Sequence, residues 1–394
     1  MVYPYWHWHT AVFRNQNIFC IAKKTIIFEQ LILPNILFIV DHRLNRSPSQ
    51  RFRFEQYLNY FKSQGFNWEL SEIITEKDDK TFYQSGNYFK KALIILKSFF
   101  IRLKDLQRSK NFDIIFIQRE ALLIGSSYFE KRFYKKNKVV FDFDDSIWLL
   151  DTSPENKKFE FLKNSDKTKV NITNAHTVIA GNTYLANYAR QFNKNVIIIP
   201  TTINTNIHKP ISKNLTSETK KIVIGWSGSI STIKHFEMAI PVLKELLLKY
   251  PNQLEIHVIG QASYKNKELN IISKSWHSST EVENLNCFDI GIMPLPDDEW
   301  SKGKCGLKGL SYMACGIATV MSAVGVNTEI IQDHYNGYLA STQKEWLDAL
   351  STLIENKELR NIIGMRGRET VVNHYSVEAN KHLYLDVFNS LIKY

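Results

Sequence analysis

Strand-length apolar runs alternate with helix-length amphipathic segments along almost the whole chain, and this alternation restricts it to the α/β class with parallel sheets. The rhythm has one interruption. From Thr201 to Lys220 the stretch TTINTNIHKPISKNLTSETK is polar, rich in turn formers and aperiodic, as a linker between domains reads. Before it, NILFIV (Asn35–Val40), DIIFIQ (Asp113–Gln118), VVFDF (Val139–Phe143), TVIA (Thr177–Ala180) and VIIIP (Val196–Pro200) read as buried strands. Helices are expected from Gln50 to Ser63, from Tyr88 to Leu103 with Phe89, Ala92, Leu93, Leu96, Phe99 and Phe100 on one side, and from Thr183 to Gln191. After it, KIVIGW (Lys221–Trp226), LEIHVIG (Leu254–Gly260), DIGIMPL (Asp289–Leu295) and ATVMS (Ala318–Ser322) restart the pattern. The chain from Gln343 reads as helical, with a break near Asn373–Ser376. At 394 residues it exceeds the usual size of one core, so two successive α/β halves are expected.

Composition narrows the class further. A hydrophobic fraction of 44% with 23% charged residues is that of a soluble globular protein and not of a disordered one. The net charge of +11 suits an anionic partner, although a general enrichment in lysine would produce it too. Four cysteines without a CxxC pair or a histidine at zinc spacing argue against a disulfide framework and fit a reducing cytoplasm. No apolar run reaches the roughly 20 residues of a spanning helix. The first 34 residues are aromatic and apolar but interrupted by Lys23, Lys24 and Glu29, and they lack the architecture of a signal peptide. They read as an extension that is an added capping segment, an interfacial anchor or upstream sequence.

In open α/β sheets ligands bind beyond the carboxyl ends of strands, so candidate chemistry is sought there. In IVIGWSGSISTIKHF a strand runs into Gly228, Ser229 and further small hydroxyl residues, then Lys234. Small residues let backbone N–H groups approach a phosphate, and a helix start favours an anion. A plain strand–turn–helix with a serine-rich turn reads the same way. In DIGIMPLPDDEWSKGKCGLKGLSYMACG, Gly303, Lys304 and Lys308 open a helix. Cations there oppose the helix dipole, which points to a bound anion, the alternative being a solvated lysine pair. Asp144 and Asp145 end the strand VVFDF beside Trp148 and are candidates for acid–base work or for holding sugar hydroxyls, with a helix cap as the structural alternative. No third ligand accompanies them, so no metal site is expected. Arg43, Arg46, Arg51 and Arg53 crowd DHRLNRSPSQRFRF after the first strand and suit a phosphate or carboxylate, or form a solvated basic face. Gln118 and Arg119 end another strand and face the same place. Trp276 is either a stacking platform or a core residue.

The segment GKCGLKGLSYMACGIATV with its VGVN turn resembles the C-terminal half of GT-B glycosyltransferases of family 4, in the bacterial branch with a GKCxxKxLxYMAxG segment. The Gly228–Lys234 interval, FDFDDSIW, VIAGNTYLANYA, SPSQRFRF and HYS (His374–Ser376) extend the resemblance from about residue 35 to the C-terminus. It implies two Rossmann-like domains with parallel sheets facing a central cleft. The acceptor domain would span 35–205 and the nucleotide-sugar domain 206–375, with a last helix, 376–394, crossing back to the first. It implies a retaining transfer from a nucleoside diphosphate-sugar to a glycan or lipid-linked acceptor in cell-surface polysaccharide synthesis, without a metal or other cofactor. The diphosphate would lie on Gly228, Ser229, Lys234, Gly303, Lys304 and Lys308, and the nucleoside near Trp276 and Ser311. Asp144 and Asp145 would be catalytic, and Arg43, Arg46, Arg51, Arg53, Gln118 and Arg119 would meet the acceptor. The implied setting is cytoplasmic, in peripheral contact with the inner face of a membrane. Many members carry two glutamates where this chain has Gly303 and Ser311, and an arginine where it has Ser229. The alternative is therefore a relative that binds sugar nucleotides without transferring them. A dehydrogenase is disfavoured by the lack of GxGxxG after the first strand, and nucleic-acid binding by the lack of a recognition module.

Overall fold

Two six-stranded sheets, every paired strand parallel to its neighbour, organise the described residues. The computed structural model of the protein describes residues 33–84, 86–149, 164–211 and 221–392. The N-terminal extension up to residue 32, and residues 212–220 of the expected linker, lie outside them. The first sheet comprises β1 (Asn35–His42), β2 (Asn67–Ile74), β3 (Ile114–Gln118), β4 (Lys138–Phe143), β5 (Thr177–Ala180) and β6 (Val196–Ile198), ordered β2-β1-β3-β4-β5-β6. The second comprises β7 (Ile222–Ser227), β8 (Leu254–Gly260), β9 (Ile271–Ser275), β10 (Ile290–Met293), β11 (Ala318–Ser322) and β12 (Tyr338–Ala340), ordered β12-β11-β10-β7-β8-β9. Both sheets belong to one compact unit, Leu33–Tyr394.

The strands legible in the sequence are mostly those covered on both faces. β3, β4, β5, β10 and β11 are buried along nearly their whole length, which demands continuous apolar runs. In the first sheet Leu37, Ile39, Ile115, Ile117, Val139 and Phe141 point into one core, and Ile36, Phe38, Val40, Ile114, Phe116 and Val140 into the other. The second core is closed by Tyr384, Leu385, Val387 and Phe388 of the last helix, Val377–Ile392. That helix therefore returns to the first sheet. The crossing is pinned where the Ile203 N–H donates to the Tyr375 carbonyl (2.8 Å) and the Val377 N–H to the Ile203 carbonyl (3.1 Å).

Two expected helices differ from the sequence reading. The segment Gln50–Ser63 is not one helix but a short helix Pro48–Arg51, a 3-10 turn Glu55–Tyr57 and a helix Leu58–Ser63. The cause is that Phe52, Arg53 and Phe54 are all buried, and three successive side chains cannot share one face of a regular helix. The helix expected at Tyr88–Leu103 runs to Arg108 and is amphipathic the other way round. Its buried side holds Ile94, Ser98, Arg102 and Asp105, whereas Phe89, Leu93, Leu96 and Phe100 are exposed. Arg102 is the reason for the inversion. Its guanidinium lies inside the domain and donates to the carbonyls of Val40 (2.7 Å), Ser71 (3.1 Å) and Ala121 (2.5 Å) and to Asp105 (2.9 Å). The first part of the linker is likewise packed: Thr202 and Ile203 are buried, and the Tyr57 hydroxyl meets the Thr202 hydroxyl at 2.7 Å. Among the described residues no helix is long and apolar enough to cross a membrane.

Candidate active site

Each sheet reverses its strand order once, between β1 and β3 in the first and between β7 and β10 in the second, and a crevice opens at the carboxyl ends of strands beside such a reversal. The two crevices face one another across a cleft of about 810 Å³. From the first sheet it is lined by Arg46, Pro48, Ser49, Phe52, Arg119, Asp144, Asp145 and Thr201. Gly228, Ser229, Ser231, Thr232, Lys234, Gln261, Trp276 and the run Lys304–Lys308 are among the residues that line it from the second.

On the second side the chain leaves β7 through Gly228, whose N–H donates to the Ile259 carbonyl (2.9 Å). A Cβ at Gly228 would stand 2.5 Å from the Trp226 ring and 2.7 Å from Lys308 Cε, so only glycine lets this turn lie against the lysine. The Tyr312 hydroxyl accepts the Ser227 N–H at 2.8 Å, tying the turn to the helix Leu307–Ala314. Lys308, on the first turn of that helix, sits 5.5 Å from the centroid of Trp226 and makes no hydrogen bond or ion pair among the described residues. Burial pulls its ammonium down to about 8, and Lys304 beside it pulls the same way. His235 is buried next to Lys234, and burial with Lys308, Lys304 and Lys234 nearby lowers its imidazole to about 4, so it is neutral at physiological pH. A lysine with no hydrogen bond or ion pair among the described residues, held in a partly desolvated cleft, suits an anion.

On the first side, Asp144 and Asp145 follow β4. Arg119 Nε donates to Asp144 Oδ1 (2.8 Å), and its Nη2 donates to Asp145 Oδ2 (3.1 Å). Arg119 holds this pose with φ of 62°, a left-handed conformation unusual for a residue with a side chain. Lys304 reaches across and donates to both Asp145 oxygens, at 2.9 and 3.1 Å. Asp145 is thereby paired with a lysine from the opposite wall of the cleft.

The two sides are also clasped by backbone. Asn182 caps the helix Thr183–Arg190 by accepting the Leu185 N–H (2.8 Å), while its amide donates to the carbonyls of Lys302 (3.4 Å), Gly303 (3.2 Å) and Lys304 (3.0 Å). Ser146 Oγ donates to the Glu299 carbonyl (3.1 Å) and Tyr184 to the Glu299 carboxylate (2.5 Å). Gly303 lies under this clasp, where a Cβ would meet Ser146 Oγ at 2.0 Å. No side chain fits at 303 in this arrangement. Ser311 lines the cleft with its hydroxyl turned back to the Leu307 carbonyl (2.8 Å).

Of the other expected site residues, Arg46 and Trp276 line the cleft and the rest do not. Arg53 is fully buried, not at an acceptor surface, with Nη2 on Asp142 Oδ1 (2.5 Å) and Nε on Asp142 Oδ2 (3.3 Å). Gln118 is buried and donates to the Ser49 carbonyl at 3.4 Å, one layer behind the cleft wall. Arg43 and Arg46 share Asp79 (2.9 and 2.5 Å), and of these two Arg46 lines the cleft. Arg51 joins the halves, pairing with Glu281 (2.8 Å) and standing 5.2 Å from the centroid of Trp276, whose indole N–H also donates to Glu281 (3.1 Å). Trp276 is thus a cleft wall with its ring covered by Arg51. His235, Asn182 and Glu281 escaped the sequence reading. The first two stand inside segments already singled out, whereas nothing in the sequence around Glu281 marks it.

Two parallel Rossmann-like sheets facing a cleft, closed by a C-terminal helix that returns to the first sheet, constitute the GT-B fold. Comparison with known proteins sharpens the picture at the second sheet, where the family described as "Glycosyl transferases group 1" matches residues 221–356. The poly(ribitol-phosphate) α-N-acetylglucosaminyltransferase of Staphylococcus aureus is 26% identical over 188 residues, which is 44% of this chain and 36% of that protein. The chain spans 36% and 59% of the length of two curated relatives, the second an uncharacterized glycosyltransferase of Methanocaldococcus jannaschii. Among solved structures, sucrose-phosphate synthase of Thermosynechococcus elongatus superposes with a TM-score of 0.67 at 14% identity, covering 91% of this chain and 99% of that one. Anabaena HepE, solved with UDP and glucose, gives a TM-score of 0.62 at 14% identity, covering 90% and 99%.

Proposed function

We propose that the protein is a glycosyltransferase that moves a sugar from a nucleoside diphosphate-sugar to a glycan or lipid-linked acceptor, with retention of configuration. The observation that carries this reading is Lys308, without an ion-pair partner among the described residues, set with Lys304 and Lys234 around the glycine-walled turn after β7 and opposite Asp144 and Asp145. The diphosphate lies against the Gly228–Lys234 turn and the start of the helix Leu307–Ala314. As the glycosidic bond breaks, negative charge grows on the leaving diphosphate, and Lys304 and Lys308 stabilise it there. Lys304 transfers from Asp145 to the diphosphate on binding. The released Asp145, with Asp144 held by Arg119, then accepts hydrogen bonds from the reacting sugars, and one of the two carboxylates takes the acceptor's proton. Trp276 and Ser311 border the nucleoside, and Arg46 and Arg119 the acceptor. The poly(ribitol-phosphate) acceptor of the S. aureus relative supports an acceptor among cell-surface glycans.

Thermal melting against UDP-, GDP- and ADP-sugars tests the donor half. At least one should raise the melting temperature, and a panel without effect contradicts the reading. Asp145→Asn should abolish transfer while leaving or raising affinity for the free nucleoside diphosphate, because Lys304 loses its competing partner; weaker nucleotide binding would contradict that role. The charge stabilisation is assigned to the chain's own lysines, so transfer should persist in excess EDTA, and its loss would require a divalent ion. Gly303 and Ser311, which offer no carboxylate to the donor, favour one rival reading, a binder of sugar nucleotides that does not transfer them. Donor binding without nucleoside diphosphate release in the presence of acceptor extracts would select it.

A further inference from the structure

The helix Tyr88–Arg108 presents a continuous apolar stripe to solvent. Phe89, Leu93, Leu96 and Phe100 follow the i, i+4, i+7, i+11 spacing of one helical face and are all exposed, Phe89 to 77% and Phe100 to 61%. A core helix would turn this stripe inward. Here the inward side is taken by Arg102 and Asp105, so the outward placement is fixed by a buried charge network. The adjacent helix Tyr128–Lys136 widens the patch, with Tyr128 stacked against Phe99 at 6.4 Å between centroids and the Arg132 guanidinium 3.8 Å from the Tyr128 centroid.

The exposed charges of these two helices are of one sign. Lys90, Lys97 and Lys104 flank it on its own helix, and Lys131, Arg132, Lys135 and Lys136 are exposed on the neighbour. The acids of these two helices, Asp105 and Glu130, are buried. The helix Glu76–Phe82 beside them carries three acids: Asp78 is bound to Lys97 (2.5 Å), Asp79 to Arg43 and Arg46, and Glu76 is exposed at the start of that helix. An apolar ridge set in exposed cations matches a bilayer surface with anionic headgroups, in which the ridge enters the acyl boundary and the lysines remain among the phosphates.

We infer that the face formed by the helices Tyr88–Arg108 and Tyr128–Lys136 docks on an anionic lipid bilayer. The face is close to the cleft in the chain: Arg46, which lines the cleft, stacks at 5.8 Å on Tyr83, a few residues before the first of these helices. Docking here places the first-sheet side of the cleft near the membrane plane. Lipid binding does not depend on the transfer reaction, so the two readings fail separately.

The test is co-sedimentation of the full chain with vesicles of phosphatidylcholine alone and of phosphatidylcholine mixed with phosphatidylglycerol. The chain should pellet with the anionic vesicles, weaken with salt, and pellet little with phosphatidylcholine alone. Leu93→Glu with Phe100→Glu should lower the partition coefficient at least about tenfold at an unchanged melting temperature. Lys135→Gln with Lys136→Gln, which leaves the stripe intact, should lower it about three- to thirtyfold. The inference is overturned if the chain stays in the supernatant with both vesicle types, or if either double variant pellets as well as the parent. It is also overturned if Leu93→Glu with Phe100→Glu converts a dimer to a monomer in sedimentation velocity, which would give the face to a second copy.

Discussion

Lys308→Ala should lower affinity for the cognate nucleoside diphosphate by about 10- to 100-fold, the cost of removing a charge-assisted contact from a partly desolvated site. The fold should be unaffected, because among the described residues Lys308 makes no hydrogen bond or ion pair that its loss would orphan, and its side chain lies against the Trp226 ring and the Gly228 turn. The same lysine sets a pH dependence. In the free protein its ammonium titrates near 8, lowered by burial and then by Lys304. Only the protonated form attracts the diphosphate, and a bound diphosphate favours that form. Affinity should therefore be flat below about 8 and fall as pH rises above it, with proton uptake on binding in that range. Calorimetry in buffers of different ionisation enthalpy reads the uptake directly. Unchanged affinity in Lys308→Ala would remove the lysine from the site. A variant that keeps the alkaline fall would assign the titration to another group.

Arg53→Met should destabilise the protein by about 3–5 kcal/mol, because it leaves Asp142 buried with its charge uncompensated. For a domain of about 150–250 residues this is a fall of about 6–20 °C in melting temperature. Arg53 and Asp142 are both fully buried, and the Arg53 guanidinium also donates to the Ile199 carbonyl, so the pair ties the segment after β1 to β4 and to the strand end at β6. Replacing both partners by apolar residues, Arg53→Met with Asp142→Leu, should recover most of the loss. If Arg53 instead contacted the acceptor, Arg53→Met would raise the acceptor KM at unchanged stability.

The fate of Arg53 illustrates how far the sequence reaches. Two facing parallel sheets were legible, because strands covered on both sides must be continuous apolar runs, and such runs recur at βα intervals, whereas the returning last helix was implied only by the resemblance to GT-B enzymes. β2, β9 and β12 were not. They are edge strands: β2 and β9 carry partly exposed, polar positions that erase the apolar signal, and β12 has only three residues. In the site, the second-sheet residues were legible as a set because they stand together in short segments, Gly228–Lys234 and Gly303–Lys308. The arginines after β1 were not separable in sequence. Arg43, Arg46, Arg51 and Arg53 lie within one short stretch, yet two share an aspartate, one bridges the sheets to Glu281, and one is interred with Asp142. Charge pattern alone cannot tell a cleft arginine from a buried one, since the deciding partner is remote in sequence. Tyr88–Arg108 failed for a related reason: its periodicity was right, but the buried side was chosen by Arg102, whose acceptors on Val40, Ser71 and Ala121 come from three other segments.

The most direct test is a transfer assay in which the chain is incubated with labelled UDP-, GDP- and ADP-sugars and a cell-surface glycan or lipid extract. Nucleoside diphosphate release and label incorporation are followed together. The account predicts that one donor gives product and nucleoside diphosphate in equal amounts, and that Lys308→Ala and Asp145→Asn both suppress the reaction. Binding of a donor with no label transferred to any acceptor, and no diphosphate released above the Asp145→Asn background, would contradict it.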